Sequence, residues 1–300
     1  MSIPTTLAAV NSANGTERPT LKIAVPNKGA LSEAAAQMLR EAGYRQRSDS
    51  KELVLTDEAN HVEFYYLRPR DIAVYVGEGT LDVGITGRDM LLDSGARARE
   101  VLALGFGGTR FRFAGPTGAG HTVEGLTGQR VATSYPGLVG AYLERQGVKA
   151  RLIKLDGAVE SAIRLGVADV IADVVETGRT LRQAGMDVFG EPIMHSEAIL
   201  IQRAELPEPM GLELLVRRLS GVLVARNYVM MDYDCPAELV DRASALTPGL
   251  ESPTVSPLAK SGWVAVRAMV RRAQAQQVMD DLWELGARAI LVTDIAACRL

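Results

Sequence analysis

The fold of this chain is most clearly indicated by the stretch Glu160-Ser-Ala-Ile-Arg-Leu-Gly-Val-Ala-Asp-Val-Ile-Ala-Asp-Val-Val-Glu-Thr-Gly-Arg-Thr-Leu181. Its first apolar residues recur at helical spacing and stop at Gly166, which predicts a short helix that ends there. An apolar run over 169–175 is rich in β-branched residues. It predicts a strand covered on both faces, as in a parallel sheet. A tight loop with Thr-Gly-Arg-Thr follows, and Leu181 opens a second helix.

The loop after this strand has two open interpretations. Backbone N–H groups at a helix start lack partners within the helix, so with Gly178 and the hydroxyls of Thr177 and Thr180 they would suit one phosphate monoester. The same residues also suit plain helix capping. Asp173 lies toward the carboxyl end of the strand, where ligands of open α/β sheets collect, and its carboxylate would accept hydrogen bonds from ribose hydroxyls.

The longer pattern resembles the signature of one enzyme family, the ATP phosphoribosyltransferases, which begin histidine biosynthesis. The matching residues are Glu160, Gly166, Ala168, Ile171, Asp173, Val174, Thr177, Gly178, Thr180 and Leu181. The similarity runs from Leu21 to Leu300. It implies that Thr177, Gly178, Arg179 and Thr180 hold the 5′-phosphate of phosphoribosyl pyrophosphate while Asp173 holds its ribose.

Composition excludes several other classes of protein. The 300 residues are 47% hydrophobic and carry a net charge of −3, which allows about two domains and disfavours binding of nucleic acid. Cys235 and Cys298 lie far apart and the histidines are scattered, so neither a disulfide framework nor a zinc site is indicated. No apolar run reaches membrane-spanning length and no basic residue precedes Arg18. We therefore expect a cytoplasmic enzyme without a secretory signal.

Three corners between a strand and a helix are predicted in the first hundred residues. The strand 21–25 ends in Pro-Asn-Lys-Gly before a helix that Gly43 stops, the strand 62–67 precedes a helix near Ile72, and the strand 81–87 precedes Met90. Because the carboxyl ends of parallel strands share one edge of a sheet, these corners should converge there.

Charged residues at these corners have a functional and a structural interpretation. Lys28 would hold a phosphate or pyrophosphate as a mobile charge, or it is a solvated lysine beside a turn. Arg68 and Asp71 form either part of a nucleotide pocket or a surface pair on one helix face. The family resemblance implies an ATP site from Lys28, Lys51, Arg68, Asp71, Gly87 and Tyr135. It also implies a departure, because Ala30 stands where the family commonly has an arginine, whose role Lys51 or Arg68 would have to take.

A second lobe is predicted from Arg110 onward, with strands over 111–114, 131–133 and 151–155. Tyr135 follows the second of these and would either stack on adenine or lie in the core. Acids at Asp156 and Glu160 suit the first turn of a helix. Resemblance instead places Asp156, Gly157, Ala158 and Glu160 against the sugar and pyrophosphate, with Mg²⁺ nearby and held mainly by substrate phosphates.

The last strand of the two-lobed region is predicted over His195 to Ile201. In the family this segment returns to the first lobe, so resemblance implies two lobes joined by two strands, like a periplasmic binding protein. The resulting assignment is a disordered tail at 1–20, a first lobe over 21–109 and 195–206, and a second lobe over 110–194. The stiff segment 207–209 is a linker candidate.

Residues 211–300 predict a helix and then the order strand, helix, strand, strand, helix, strand, which is a ferredoxin-like layout. No nucleophile, base or metal cluster stands out there, so control is favoured over chemistry. The long form of the family carries such a regulatory domain and is inhibited there by histidine. Matching positions imply an inhibitor site with Asp234, Leu250, Ser252, Thr254 and Ala289. Asp234 would bind the α-amino group or cap a loop.

The implied reaction joins N1 of ATP to C1 of phosphoribosyl pyrophosphate and releases pyrophosphate, with Lys28 and Asp173 as the catalytic candidates and no general base assigned. The implied partners are ATP, phosphoribosyl pyrophosphate, Mg²⁺ and histidine, with AMP as a further inhibitor candidate and assembly from dimers to hexamers. Two rivals are open. They are a phosphoribosyltransferase for another base and a two-lobed ligand-binding protein without turnover.

Overall fold

The computed structural model describes residues 20–157, 159–175, 178–205 and 207–299. Three predictions therefore fall on positions outside the described residues. These are the tail at 1–20, except its last residue, and the site residues Ala158 and Thr177. Over the described ranges the chain is of the predicted α/β class and forms three separate β-sheets.

The strands, numbered in chain order, are β1 (Leu21–Pro26), β2 (Val54–Asp57), β3 (Val62–Leu67), β4 (Val83–Gly87), β5 (Ala98–Ala103), β6 (Thr109–Pro116), β7 (Arg130–Thr133), β8 (Arg151–Lys154), β9 (Val170–Val175), β10 (Met186–Ser196), β11 (Ala198–Arg203), β12 (Tyr228–Pro236), β13 (Thr254–Pro257), β14 (Trp263–Arg271) and β15 (Arg288–Asp294). The helices are α1 (Ala30–Glu41), α2 (Pro69–Gly77), α3 (Arg88–Ser94), α4 (Pro136–Arg145), α5 (Ser161–Arg164), α6 (Arg179–Gln183), α7 (Leu212–Asn227), α8 (Val240–Leu246) and α9 (Ala275–Leu285). No helix within the described ranges has the length and apolar character needed to cross a lipid bilayer.

The first sheet has the strand order β2-β3-β1-β4-β11-β5. Strand β1 pairs in parallel with both β3 and β4, so the three predicted corners lie at one edge of this sheet. The apolar stripe of α1 explains how the edge is fixed, because Ala35, Met38 and Leu39 are buried in the same core as Ile23 and Phe64. The convergence predicted from the sequence is confirmed.

The second sheet has the order β10-β6-β9-β7-β8. Strand β9 is buried as predicted, yet only β7 pairs with it in parallel, while β6 pairs with it antiparallel. The prediction that this strand is covered on both faces is confirmed, and the sheet around it is mixed rather than all parallel. An apolar, β-branched run reports burial on both faces and does not report the direction of the neighbours.

Two segments join the two sheets, one between β5 and β6 and one between β10 and β11. The segment predicted as a strand over His195 to Ile201 is extended and crosses from the second sheet to the first as expected, but it forms two strands that are separated at Glu197. His195 and Ser196 pair with β6 in the second sheet, whereas Ala198 begins the pairing with β4 in the first. A strand that changes sheets keeps its extended backbone, so the sequence pattern alone does not show the break.

Helix α7 connects the two lobes to the third sheet. Its buried leucines, Leu212, Leu215 and Leu219, lie in the same core as Ile23 and Phe64 of the first lobe. The third sheet follows with the antiparallel order β13-β14-β12-β15 and carries α8 and α9 on one face. The ferredoxin-like layout is confirmed, while the domain boundaries stay predictions.

Candidate functional site

Asp173 and Glu160 of the second lobe and Arg70 of the first lobe lie close enough to interact. One carboxylate oxygen of Asp173 accepts a hydrogen bond from the backbone N–H of Val174 at 2.8 Å. Burial raises the pKa of Asp173, the negative charge of Glu160 raises it further, and Arg70 lowers it. The predicted ribose ligand is thus a half-buried carboxylate that faces a cation from the opposite lobe.

The predicted phosphate loop enters a very short helix. Gly178 has a φ of 67°, in the left-handed region that glycine adopts without strain, and it precedes α6. The N–H of Arg182 donates to the carbonyl of Gly178 at 3.0 Å, which is an α-helical bond at the start of α6. The first N–H groups of a helix lack partners within it. Arg179 and Thr180 are exposed. Because α6 has 5 residues, any attraction for an anion comes from these N–H groups rather than from a long helix dipole.

Tyr135 is buried at the start of α4, with 8% of its surface exposed. Its ring meets Phe111 edge to face at 5.1 Å, and the guanidinium of Arg70 lies over it at 4.3 Å from the ring centre. Burial raises the pKa of the Tyr135 hydroxyl, and the nearby charge of Asp89 raises it further. An adenine would reach this ring face only by displacing Arg70, so the predicted stacking role stays a prediction.

Two aspartates of α3 contribute to the contact between the lobes. Asp89 is buried and accepts a hydrogen bond at 2.8 Å from the hydroxyl of Ser196, the last residue before the crossing segment. Asp93 accepts hydrogen bonds from the backbone N–H groups of Gly137 and Leu138 at 2.9 and 3.1 Å and so caps α4. The sequence analysis missed both residues. An acid in a first helical turn normally indicates an exposed dipole partner, whereas Asp89 is buried against Ser196 of the second sheet.

Lys28 is exposed in the turn after β1, and Arg47 holds a neighbouring loop against that turn. The Arg47 guanidinium donates to the carbonyl of Asn27 at 2.9 Å and to the carbonyls of Ser50 and Glu52 at 2.8 and 2.9 Å. Lys51 lies between the last two and is also exposed, so Arg47 brings both predicted lysines to one edge of the first sheet. Sequence reasoning missed Arg47 because its contact with Asn27 joins residues 20 positions apart.

Arg68 and Asp71 lie at the start of α2, beside the corner that follows β1. Both are exposed, and among the described residues they form no ion pair with each other, so the alternative of a surface pair is not supported. Gly87 ends β4 and is buried. A Cβ at Gly87 would clash with the carboxylate of Asp89, which gives this glycine a local packing role in addition to the predicted place in the ATP site.

The loop after β8 lies at the carboxyl edge of the second sheet. Asp156 and Gly157 are exposed, and the N–H of Gly157 donates to the hydroxyl of Ser134 at 3.2 Å, which ties this loop to the end of β7. Gly157 has a φ of 92°, which favours glycine. Glu160 follows just before α5, which places it on the side of the sheet where it influences Asp173.

Asp173 and Glu160 are the carboxylates that bear on metal binding at this site. Within the described part of the chain, no three His, Cys, Asp or Glu side chains are grouped so as to hold one. Asp173 and Glu160 are close enough for their charges to interact. Mg²⁺ at phosphate sites is commonly held by one or two carboxylates together with substrate phosphates. These residues therefore fit Mg²⁺ only when a substrate supplies the remaining ligands.

The predicted inhibitor residues lie around the face of the third sheet that α8 and α9 do not cover. Asp234 is opposite Arg288 on β15, and Ala289 follows at a bulge with a φ of 51°. A non-glycine residue in this region is uncommon and indicates a constrained backbone. Thr254 is exposed on the edge strand β13, and Leu250 and Ser252 are exposed in the loop before it. Asp234 and Ala289 thus lie close together on neighbouring strands. Leu250, Ser252 and Thr254 lie at or before the edge strand β13, on the other side of β14.

Comparison with known proteins gives a consistent result. Residues 68–221 match the family described as ATP phosphoribosyltransferase, and residues 225–297 match the family described as HisG, C-terminal domain. An ATP phosphoribosyltransferase of Arthrobacter sp. (strain FB24) is 62% identical over 285 residues, covering 93% of this chain and 100% of the relative. One from Salinispora tropica is 65% identical over 281 residues with the same coverage.

A solved structure is also similar to this chain. It is the ATP phosphoribosyl transferase (HisG:HisZ) complex from Thermotoga maritima, which is 26% identical with a TM-score of 0.57. The match covers 68% of this chain and 98% of that chain.

Proposed function

The chain belongs to the ATP phosphoribosyltransferase family, and from this premise we propose that its cleft joins N1 of ATP to C1 of phosphoribosyl pyrophosphate and releases pyrophosphate. In this reaction the lone pair of N1 forms the new bond to C1 while the C1–O bond breaks, and its electron pair leaves with pyrophosphate. Positive charge develops on the ribose ring and negative charge on the leaving group. Residues that hold both partners in line lower the barrier without a covalent intermediate.

One observation carries the proposal. Asp173 and Glu160 of the second lobe face Arg70 of the first lobe at the carboxyl end of β9, directly before the loop that contains Gly178. A carboxylate beside a phosphate-binding loop suits a ribose phosphate, because its oxygens accept from hydroxyls while the loop donates to the phosphate. Because Arg70 belongs to the first lobe and Asp173 to the second, both lobes contribute residues to this site.

We assign the residue roles as follows. Thr177, Gly178, Arg179 and Thr180 hold the 5′-phosphate, and Asp173 holds the ribose hydroxyls. Asp156, Gly157, Ala158 and Glu160 border the sugar and its pyrophosphate. Lys28 binds pyrophosphate or the ATP phosphates from the first lobe, where Lys51, Arg68, Asp71 and Gly87 line the nucleotide site, with Tyr135 at the junction of the lobes.

The metal of this reaction is proposed to be Mg²⁺. When bound, it would neutralise charge on the leaving pyrophosphate. Glu160 and Asp173 are the residues that would contact it, together with substrate phosphates. The like charge of Glu160 raises the pKa of Asp173, so a divalent cation bound beside Asp173 would favour its ionised form.

Regulation is proposed for the third sheet. Histidine would bind Asp234 through its α-amino group, with Leu250, Ser252, Thr254 and Ala289 around it, and AMP is a second inhibitor candidate. Assembly into dimers and hexamers belongs to the same proposal. We place the enzyme in the cytoplasm, because ATP and phosphoribosyl pyrophosphate are metabolites of the cell interior.

A direct assay tests the proposed reaction. The protein is mixed with ATP, phosphoribosyl pyrophosphate and Mg²⁺, and the ultraviolet absorbance of the adenine ring is followed. We expect a change that requires all three components and reverses on addition of pyrophosphate. Turnover of another base with no turnover of ATP would favour a different phosphoribosyltransferase, and ligand binding without any turnover would favour a binding protein.

A further inference from the structure

A cavity of about 340 Å³ lies beside the predicted phosphate loop and has no role in the assignments above. Its lining includes Gly178 of the loop and Val175 at the end of β9. It also includes three arginines, Arg110, Arg112 and Arg182, against one acid, Asp187. Cavities of this size commonly bind small ligands. The guanidinium groups of Arg110 and Arg112 favour an anion in this cavity.

Arg112 is the most constrained of these arginines. Its Nε atom is buried and has no hydrogen-bond partner among the described residues, while one terminal nitrogen donates to the carbonyl of Gly190. A buried charged donor without an acceptor is costly, because it has lost its water. An anion in the cavity would supply the missing acceptor.

The second sheet is shaped around this side chain. The pairing of β10 with β6 shifts register between Phe189 and Met194, so the residues in between bulge opposite Arg112. Gly190 within this bulge has a φ of 64°, which favours glycine. Bulges are often found next to active sites, where they redirect a side chain. The bulge therefore positions the Arg112 guanidinium, which donates to the carbonyl of Gly190 within it.

The register between β6 and β9 places Arg110 and Arg112 next to the proposed sugar site. Arg112 is directly opposite Asp173, and Arg110 is directly opposite Val175, so the two arginines share the face of the sheet on which Asp173 lies. Arg110 also lines a larger cavity of about 680 Å³ at the crossing segments, together with Thr109 and His195. Arg110 thus lies where the two cavities meet.

We propose that Arg110 and Arg112 form a phosphate subsite that adjoins the backbone loop at Gly178 and binds the linked phosphates of a substrate. A guanidinium binds two oxygens of a phosphate at once. Arg110 and Arg112 are two residues apart on β6 and lie on the same face of the sheet, so they can contact neighbouring phosphates of one ligand. The triphosphate of ATP and the pyrophosphate of the sugar donor share this chemistry. The naming of these two sources rests on the proposed function, whereas the binding of phosphates does not.

The test is calorimetric titration of the full chain with tripolyphosphate, ATP and phosphoribosyl pyrophosphate. Arg112→Gln and Arg110→Gln should each weaken tripolyphosphate binding by about 10- to 100-fold, as expected for lost hydrogen bonds to charged groups. Arg112→Lys should lie in between, because it keeps the charge and loses the two-point contact. Arg145→Gln is the matched control, since Arg145 is an exposed arginine of the same lobe at the end of α4.

The two substrates identify the source. A loss confined to ATP assigns the subsite to its triphosphate, and a loss confined to the sugar donor assigns it to the pyrophosphate. Both results support the subsite. If Arg112→Gln fails to fold, Arg110→Gln decides, because Arg110 is exposed. Unchanged affinity of Arg110→Gln for all three probes would overturn the proposal. Absence of turnover with intact tripolyphosphate binding would instead count against the proposed reaction.

Discussion

Asp93 of the first lobe accepts a hydrogen bond from the backbone N–H of Gly137 at 2.9 Å and thereby caps a helix of the second lobe. The two helices approach so closely that a Cβ at Gly137 would clash with the backbone oxygen of Asp93. Residues 44 positions apart in sequence are thus in direct contact across the lobes. This contact holds the two lobes in one relative orientation and so sets the shape of the cleft between them.

Asp93→Ala should lower the free energy of unfolding by about 1 kcal/mol, because α4 loses its cap. It should also raise KM for both substrates, because the lobes are no longer held in one arrangement. Urea denaturation and steady-state kinetics measure the two effects. Asp294→Ala is the control, since it removes only an exposed ion pair of the third sheet. Equal KM values in Asp93→Ala and wild type would show that this contact does not set the cleft.

Asp173→Asn should bind phosphoribosyl pyrophosphate less well without being less stable. Because burial and Glu160 raise the pKa of Asp173, the native state binds more protons than the unfolded state between the ordinary and the raised pKa. Stability therefore falls as pH rises through that interval, and the cost persists at higher pH. The amide removes this cost. Thermal unfolding from pH 4 to pH 8 tests the prediction, and a lower unfolding temperature of the variant at pH 8 would contradict it.

Asp234→Asn should weaken histidine inhibition by at least about tenfold, because an α-ammonium group loses a charged acceptor. The kcat/KM of the uninhibited reaction should stay unchanged. Asp232→Asn is the matched control, since Asp232 lies two residues away on the same strand and pairs with Arg267 at 2.6 Å. Inhibition curves of the two variants give the measurement. Equal loss in both, or no loss in Asp234→Asn, would remove Asp234 from the inhibitor site.

Glu100→Gln should destabilise the crossing segments in a pH-dependent way. Arg88 binds Glu100 at 2.8 Å and Glu197 at 3.2 Å, and the hydrogen bond from Arg88 lowers the pKa of Glu100. The stabilisation is present above the ordinary carboxyl pKa and is lost as pH falls through the lowered one. We expect a difference below about 1 kcal/mol at neutral pH, since the pair is partly exposed. A difference between variant and wild type that grows toward acid would contradict this sign.

The sequence predicts the elements whose apolar pattern is regular. The strand-to-helix corners of the first sheet, the helix α1 and the strand β9 all follow from periodicity and glycine stops. Strand β5 and most of β10, which the sequence analysis does not predict, are edge strands of their sheets. Edge strands carry charges and irregularities that hide the alternation, as Arg99 and Glu100 do in β5 and the bulge at Gly190 does in β10.

The candidate site is predictable only where a local motif carries it. Asp173 and Gly178 belong to one continuous stretch, so their proximity follows from the sequence. Arg70, Asp89 and Asp93 reach the second lobe only because the lobes fold against each other, and no local pattern distinguishes them from surface charges. The same reason hides Arg112, whose environment comes from a bulge in a distant strand.

The proposed reaction depends on the binding of a sugar phosphate by the loop from Thr177 to Thr180. A crystal structure of the protein with phosphoribosyl pyrophosphate tests it most directly. We predict the 5′-phosphate within hydrogen-bond distance of the backbone N–H groups of this loop, with the carboxylate of Asp173 on the ribose hydroxyls. A phosphate bound elsewhere, or the same N–H groups bonded to the protein itself in the complex, would contradict the account.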